Sequence, residues 1–480
     1  MSIRVQHVEQ FETSSPPARD HSHAAANPAA GWLDPCGCAG ILGPVINLVK
    51  VNVGAGILSM PLCFLLVGYR TALLALFVFG AIGAISVQMM ATVASRTGAR
   101  SLEEATERLL GYGAGRILQF TMLLKCLGSM VAYLDVLGEV FPPLLAGWMR
   151  LPVARFAAAD GSNYEAFGVP LMHGVEASPM LELRTLVIGG IAGFVLAPLS
   201  LLRSVNALSP GAALCLVLAV TLVLLVAAQS LQAMWQGTAA AHLAAGGRRP
   251  EHGSVQEGIR SVAIIVFAFA CQHMIFPIHV ELVKDSASQA EAAEKFGRLR
   301  KWTFCVVTLM YATMGYCGLA AFGTAAHPDV MENLPRHGRL GGFVRTVTAL
   351  FSATLVFSFQ FNVFAGRPSF DALLFAQRKD HSNPAIPLRA FVLEGLVLIT
   401  MSAMTAIALP DISTVFALTG GTTCTSLMFF FPAALYYKAT GAQERSGKVL
   451  CGLCAMLLVG VLIGVGSTIV VLGGAKVGGH

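Results

Sequence analysis

Eleven long apolar stretches, separated by polar connections, leave this chain almost no way to fold in water. A helix that crosses the roughly 30 Å hydrocarbon core of a bilayer needs about 20 apolar residues. Stretches of that order run near 44–67, 71–94, 116–142, 184–200, 209–229, 259–282, 303–324, 343–365, 388–409, 411–437 and 449–473. Only 12% of the 480 residues are charged and 55% are hydrophobic, against about 25% charge in a soluble domain. The expected fold class is therefore an all-α polytopic membrane protein with about 11 transmembrane helices. Pro410 ends one helix and Asp411 can cap the next, which separates the ninth stretch from the tenth. An odd number of crossings puts the two termini on opposite faces.

The polar ends and connections set the orientation. Residues 1–43 are polar and predict a disordered cytosolic tail. Cys36 and Cys38 near its end are either palmitoylation targets or plain thiols. The other cysteines fall mostly inside apolar runs and read as small buried hydrophobes, with no disulfide framework. With the N-terminus cytoplasmic, the cytoplasmic connections hold about 19 Lys and Arg and the other face about 11. The bias is sharpest in 96–116, 284–301 and 367–389. The longest connection, 143–183, then faces outward or into a lumen, with Asp160, Glu165, Glu176 and Glu182 against Arg150 and Arg155. A net charge of +6, spread over short connections, gives no reason to expect nucleic acid as a partner; lipid is the partner of the apolar surface.

Two of the eleven stretches are flawed as helices. The first, Asn47-Leu-Val-Lys-Val-Asn-Val-Gly-Ala-Gly-Ile-Leu-Ser-Met-Pro61, carries Lys50, Asn52, Gly54, Gly56 and Pro61. The sixth, Ile264-Ile-Val-Phe-Ala-Phe-Ala-Cys-Gln-His-Met-Ile-Phe-Pro277, carries Gln272, His273 and Pro277. Glycine weakens a helix and proline removes one of its hydrogen bonds. Irregular backbone inside a bilayer is tolerated only against protein or a water-filled cavity. Two interrupted helices in matching places of successive halves point to a binding site at the membrane midplane. Gly54-Ala55-Gly56 taken alone also fits close helix packing.

Three segments carry a family resemblance. Leu48–Pro61 resembles the first helix of the amino acid/auxin permease (AAAP) family. Phe267-Ala-Phe-Ala-Cys-Gln-His273 with Ile278-His-Val-Glu-Leu282 resembles its sixth, and Phe361-Asn-Val-Phe-Ala-Gly-Arg-Pro-Ser369 the end of its eighth. The resemblance spans residues 40–473 and includes the proton-assisted and sodium-coupled neutral amino acid transporter branches. It implies a LeuT-type 5+5 inverted repeat with broken helices 1 and 6: repeat one over about 44–229, repeat two over about 259–437, and an extra helix over about 449–473. It also implies a secondary active transporter of small amino acids, coupled to protons or sodium.

A zwitterionic amino acid needs partners for both charges, because an unpaired charge in low dielectric is costly. Val53, Gly54, Ala55 and Gly56 would offer backbone N–H groups at a half-helix N-terminus to the carboxylate. Free carbonyls at Phe267, Ala268, Phe269 and Ala270 would accept from the ammonium, and the Phe269 ring is either a gate over the substrate or ordinary core. For coupling, Lys50 sits one turn before Gly54, where the proton-assisted branch carries a lysine and the sodium-coupled branch an asparagine. Such a lysine can take up and release the coupled proton, or simply snorkel to the cytosol. Ser358, nine residues before Arg367, matches a hydroxyl position of the sodium-coupled branch; the charge on Lys50 favours protons. In the third span Asp135 and Glu139 share a helix face, with Lys125 toward the cytosolic end. Glu139 near the outer mouth is a proton acceptor or an interface residue. His273 is a titrating group or a structural donor, and Arg367 and Glu394 read as packing residues. No His/Asp/Glu cluster of ligand spacing lies inside the spans, so no metal, cofactor or enzymatic activity is expected. A channel would need polar rings rather than paired breaks, whereas an amino acid sensor would need this same pocket. Plasma membrane and vacuolar or lysosomal membrane both remain open.

Overall fold

The computed structural model describes residues 41–149, 153–157, 163–167, 179–201, 211–246, 254–335, 341–374, 388–409, 411–441 and 444–477. Nearly all of the expected tail, with Cys36 and Cys38, lies outside the described residues, as do Arg150, Asp160, Glu176 and Pro410. Among the described residues, nine helices are long and apolar enough to cross a membrane: Tyr69–Thr97, Tyr112–Pro142, Ala213–Trp235, Val255–Lys284, Gln289–Ala325, Gly341–Leu374, Arg389–Ala408, Ile412–Ala439 and Gly447–Val470. The bent pair Leu42–Asn52 and Ala55–Val67 makes a tenth candidate span, and the shorter apolar helix Arg184–Leu199 lies where the fourth stretch was expected. In chain order these are spans 1 to 11, the bent pair being span 1 and Arg184–Leu199 span 4.

Several connections are more ordered than their polarity suggests. The basic segment 284–301 is mostly the start of span 7: Ser288 accepts from the Glu291 N–H and the Glu291 carboxylate accepts from the Ala287 N–H. That reciprocal cap starts a helix of good formers well before the apolar part begins. Between spans 2 and 3, Ser101 caps the amphipathic helix Leu102–Leu110 in the same way. Within 143–183, Val153–Ala157 pairs antiparallel with Asn163–Phe167. That hairpin is the one departure from helix and turn among the described residues. Asp411 accepts from the Ser413 N–H and starts span 10, as its position predicts.

The packing repeats itself when the first five spans are exchanged for the second five. Spans 2 and 7 pack together, as do spans 3 and 8, each pair being its own counterpart. Span 1 lies on spans 5 and 7, and span 6 lies correspondingly on spans 10 and 2. Spans 5 and 8 match spans 10 and 3; spans 3 and 4 match spans 8 and 9. Each unit has five crossings, so the two units run in opposite directions through the membrane, and span 11 stands outside the exchange. This is the 5+5 inverted arrangement.

Small residues let these helices approach. A Cβ on Gly315 of span 7 would overlap the Phe64 ring, whose Cζ would lie only 2.9 Å away, and one on Gly318 would fall against Pro61. Both face the second half of span 1. Gly128 of span 3 meets Thr419 of span 10 in the same manner. Such contacts, rather than hydrophobicity, hold helices together in lipid. Gly315→Val is expected to destabilise the purified protein by about 1–3 kcal/mol through overpacking. Gly297→Ala on the same helix, where nothing lies within 4 Å, is expected to hold or slightly raise the melting temperature; thermal unfolding in detergent compares the two.

Candidate functional site

Span 1 stops being a helix at Asn52. Val53 closes the last turn onto the Val49 carbonyl, and Gly54 takes φ −94° and ψ −143°. A single 3-10 turn, Ala55–Ile57, follows before Met60–Val67 resumes with Pro61 in its first turn. The N–H groups of Ala55 and Gly56 donate to no backbone carbonyl among the described residues. They open the second half-helix, where the peptide dipoles add to a positive end. Span 6 breaks opposite. Its first part, Ser254–Ala268, ends in tight turns from Ala270 to Phe267 and from Cys271 to Phe269. A 3-10 turn at Gln272–Met274 follows, then Ile275–Lys284.

The two glycines of span 1 do different things. A Cβ on Gly56 would sit 3.2 Å from the Ala268 Cβ and 3.3 Å from its Cα, so Gly56 sets the crossing distance of spans 1 and 6. A Cβ on Gly54 would meet only the Tyr133 side chain, with its hydroxyl 3.2 Å away. Gly54 is thus the open face of the break and Gly56 the packed one. Tyr311 of span 7 ties both breaks together: its hydroxyl lies 2.6 Å from the Asn52 carbonyl and 2.9 Å from the Ala268 carbonyl. The Ala268 oxygen lost its helical partner when its helix stopped and would be costly to leave bare in the bilayer, whereas the Asn52 oxygen also accepts from the Gly54 N–H at 2.8 Å.

Around the open face, polar atoms converge from four spans. The Tyr133 hydroxyl of span 3 interacts with the Asn362 side chain of span 8. Lys125, two turns before Tyr133, places Nζ 3.5 Å from Asn362 Oδ1 and 3.5 Å from His273 Nε2. Buried atoms without a hydrogen-bond partner gather here: Asn52 Oδ1, both polar atoms of the Gln272 amide, and His273 Nδ1. A buried orphan of this kind normally awaits water or a ligand.

The other expected site residues are placed as follows. Val53, Ala55, Ala268 and Ala270 are buried at the crossing of the breaks. Phe267 packs against Phe416 of span 10 at 4.6 Å between centroids, the rings tilted by 36°, and lies beside Gly56. Phe269 is turned the other way, into packing with Phe304 and Tyr311 of span 7 and against Gly80 of span 2. The ring is fully buried in that packing. Lys50, half-buried, puts Nζ 4.1 Å from the Phe361 ring centroid of span 8. Ser358 donates its hydroxyl to the Thr354 carbonyl of its own helix and accepts the Asn362 amide on its carbonyl. Arg367 donates to the Ser200 carbonyl and lies 3.6 Å from the Phe391 centroid, a packing role as expected.

Asp135 is not a free coupling carboxylate. Its Oδ1 pairs at 2.6 Å with Arg184 of span 4, and Arg184 also donates to the Ala406 carbonyl of span 9. Glu139, one turn on, lies away from the breaks against the connection between spans 7 and 8. Sequence reading missed Tyr133, Tyr311 and Arg184. The tyrosines look like any other apolar-run aromatics, and Arg184 falls at the edge of its span.

Residues 39–473 match the family model described as "Transmembrane amino acid transporter protein". The chain is 25% identical over 436 residues to "Amino acid transporter AVT6C" of Arabidopsis thaliana, covering 88% of this chain and 91% of that one. It is 22% identical over 417 residues to "Vacuolar amino acid transporter 2" of Saccharomyces cerevisiae, with 85% and 78% covered. It is also 22% identical over 435 residues to "Sodium-coupled neutral amino acid transporter 7" of Xenopus laevis, with 88% and 86% covered.

Removing one member of a buried ion pair leaves the other uncompensated, at about 3–5 kcal/mol. Asp135→Asn is therefore expected to lower the melting temperature steeply, and Asp135→Leu combined with Arg184→Met to restore most of it. Thermal unfolding of the three proteins distinguishes this pair from a carboxylate held for proton transfer, whose loss would leave stability intact.

Proposed function

The chain belongs to the transmembrane amino acid transporter family, and from that premise we propose that it is a secondary active transporter that carries amino acids with protons. The reading rests above all on the paired breaks in spans 1 and 6. The open N–H groups of Ala55 and Gly56 suit a carboxylate, and Gly54 leaves it room to approach. The Ala268 carbonyl keeps a second lone pair beyond the one facing Tyr311 and, with Asn52 Oδ1 and Gln272 Oε1, suits an ammonium. A free amino acid carries both charges on its α-carbon, the ammonium nitrogen two bonds from the carboxylate carbon, so a site of both signs at one helix crossing matches that ligand class.

Coupling to protons is favoured over sodium by the charges already inside. Among the described residues, neither Lys50 nor Lys125 has a carboxylate in ion-pair range. A sodium ion beside either would meet like charge in low dielectric. A lysine that exchanges its proton as spans 1 and 8 move supplies the coupled cation itself, and Lys50, one turn from Gly54, is the residue so placed. The relatives named for sodium coupling make sodium the alternative reading, in which Ser358 would be a ligand. In the proposed topology the N-terminus is cytoplasmic, in a plasma or vacuolar membrane.

Uptake of a radiolabelled amino acid panel into proteoliposomes tests this reading directly. An inward proton gradient alone is expected to drive accumulation, and Lys50→Gln to abolish the stimulation while retaining exchange of bound substrate. Sodium-driven accumulation that ignores the proton gradient would overturn the coupling. Gly54→Val is expected to reduce uptake at least roughly a hundredfold, since a branched side chain occupies the carboxylate's approach. Binding without accumulation under either gradient would make the protein a sensor.

A further inference from the structure

Glu139, His327 and Glu332 each place a possible ligand atom within 4.8 Å of the other two. They lie outside the site at the helix breaks, and they come from opposite halves of the chain, so no spacing in the sequence announces them. Glu139 stands on span 3. The other two stand on the connection between spans 7 and 8, which is built to hold its shape. Asp329 caps the short helix Val330–Asn333 through the Met331 N–H. Asn333 accepts from the His327 N–H and donates to the Ala325 carbonyl. The whole connection is seated on span 1, where Ser59 donates to the Pro328 carbonyl and Val330 donates to the Leu58 carbonyl.

Charge in this cluster is unbalanced. Glu139 faces the like charges of Asp329, Glu332 and Asp135, against one arginine, Arg184, that already serves Asp135. Glu139 Oε2 is shut off from solvent and has no hydrogen-bond partner. Glu332 is exposed, so an ion has access from the water on that face. One imidazole and two carboxylates are a donor set that suits zinc, three protein ligands with one position left for water. A tetrahedral zinc with ligands at about 2.0–2.2 Å separates its ligand atoms by roughly 3.3–3.6 Å. His327 Nε2 and Glu332 Oε2 are already 3.3 Å apart, so only Glu139 has to close in.

We infer that Glu139, His327 and Glu332 form a binding site for a divalent transition-metal ion of the zinc class, which clamps the connection between spans 7 and 8 onto span 3. Nε2 is the ligating nitrogen, and Nδ1 then carries the imidazole proton. The 3.3 Å contact that Nδ1 receives from the Asp329 N–H is given up on binding. Because the same connection rests on the second half of span 1, a bound ion holds this face of the protein shut. No step of amino acid transport enters the inference.

The test is zinc binding to the full-length protein in lipid nanodiscs, by titration against a chromophoric zinc chelator. Wild type is expected to bind one zinc that is lost on changing any ligand. Glu139→Gln, His327→Asn and Glu332→Gln should each weaken it at least roughly tenfold, the loss that even an outer-shell partner brings. Glu332→Gln changes an exposed side chain and is not expected to disturb folding, so it decides the matter if the buried variant fails to fold. Zinc K-edge absorption should show nitrogen and oxygen at about 2.0–2.2 Å. No saturable zinc in wild type, undiminished binding in Glu332→Gln and His327→Asn, or sulfur at about 2.3 Å would each overturn the site.

Discussion

The Tyr311 hydroxyl is the contact on which the two broken helices depend. A helix that stops inside a bilayer leaves carbonyls with no water to receive them, and each such group costs several kcal/mol if left bare. Here the Ala268 carbonyl, and the Asn52 carbonyl that also accepts from the Gly54 N–H, both turn to one phenol on span 7. The hydroxyl has a single proton for two acceptors, so it serves them by sharing or by alternating. Around that point the close approach of Gly56 to Ala268 fixes how near the breaks lie. The open N–H groups and the orphaned Gln272 amide belong to two helices that stop side by side.

The architecture was legible because lipid removes choices. Length and hydropathy find each span, and Gly, Pro and charge inside a span mark where it breaks, as in Lys50–Pro61 and Gln272–Pro277. The number of crossings and the pairing of spans 1 and 6 follow from those signals alone. The ends of the helices were less legible, since span 7 begins at Gln289 in a polar, well-capped segment that reads as a connection. Hydropathy sees where a helix is greasy, not where it is a helix.

Within the site, backbone roles were readable and side-chain roles much less so. Gly54 and Gly56 look identical in a sequence, and only the neighbour of each separates an open face from a packing contact. Phe267 and Phe269 are separated by one residue, yet one packs on span 10 and the other on span 7, a difference that a sequence does not display. Asp135 stood out as an intramembrane acid, a reasonable sign of function. Its partner Arg184 arrives from another span and turns it into a brace between spans 3, 4 and 9. Pairings across distant segments are what a single chain cannot display.

The connection between spans 7 and 8 is bonded to span 1 at Leu58 and Ser59, just past the break. The second half of span 1 therefore cannot tilt without either dragging that connection or tearing two hydrogen bonds from it. His327 and Glu332 stand on the same piece, in reach of water. Any tilt of span 1 would thus carry His327 and Glu332 with it, like a pointer whose tip stands outside. What happens at the centre of the membrane is displayed on the surface, where a fluorophore or an antibody fragment can read it.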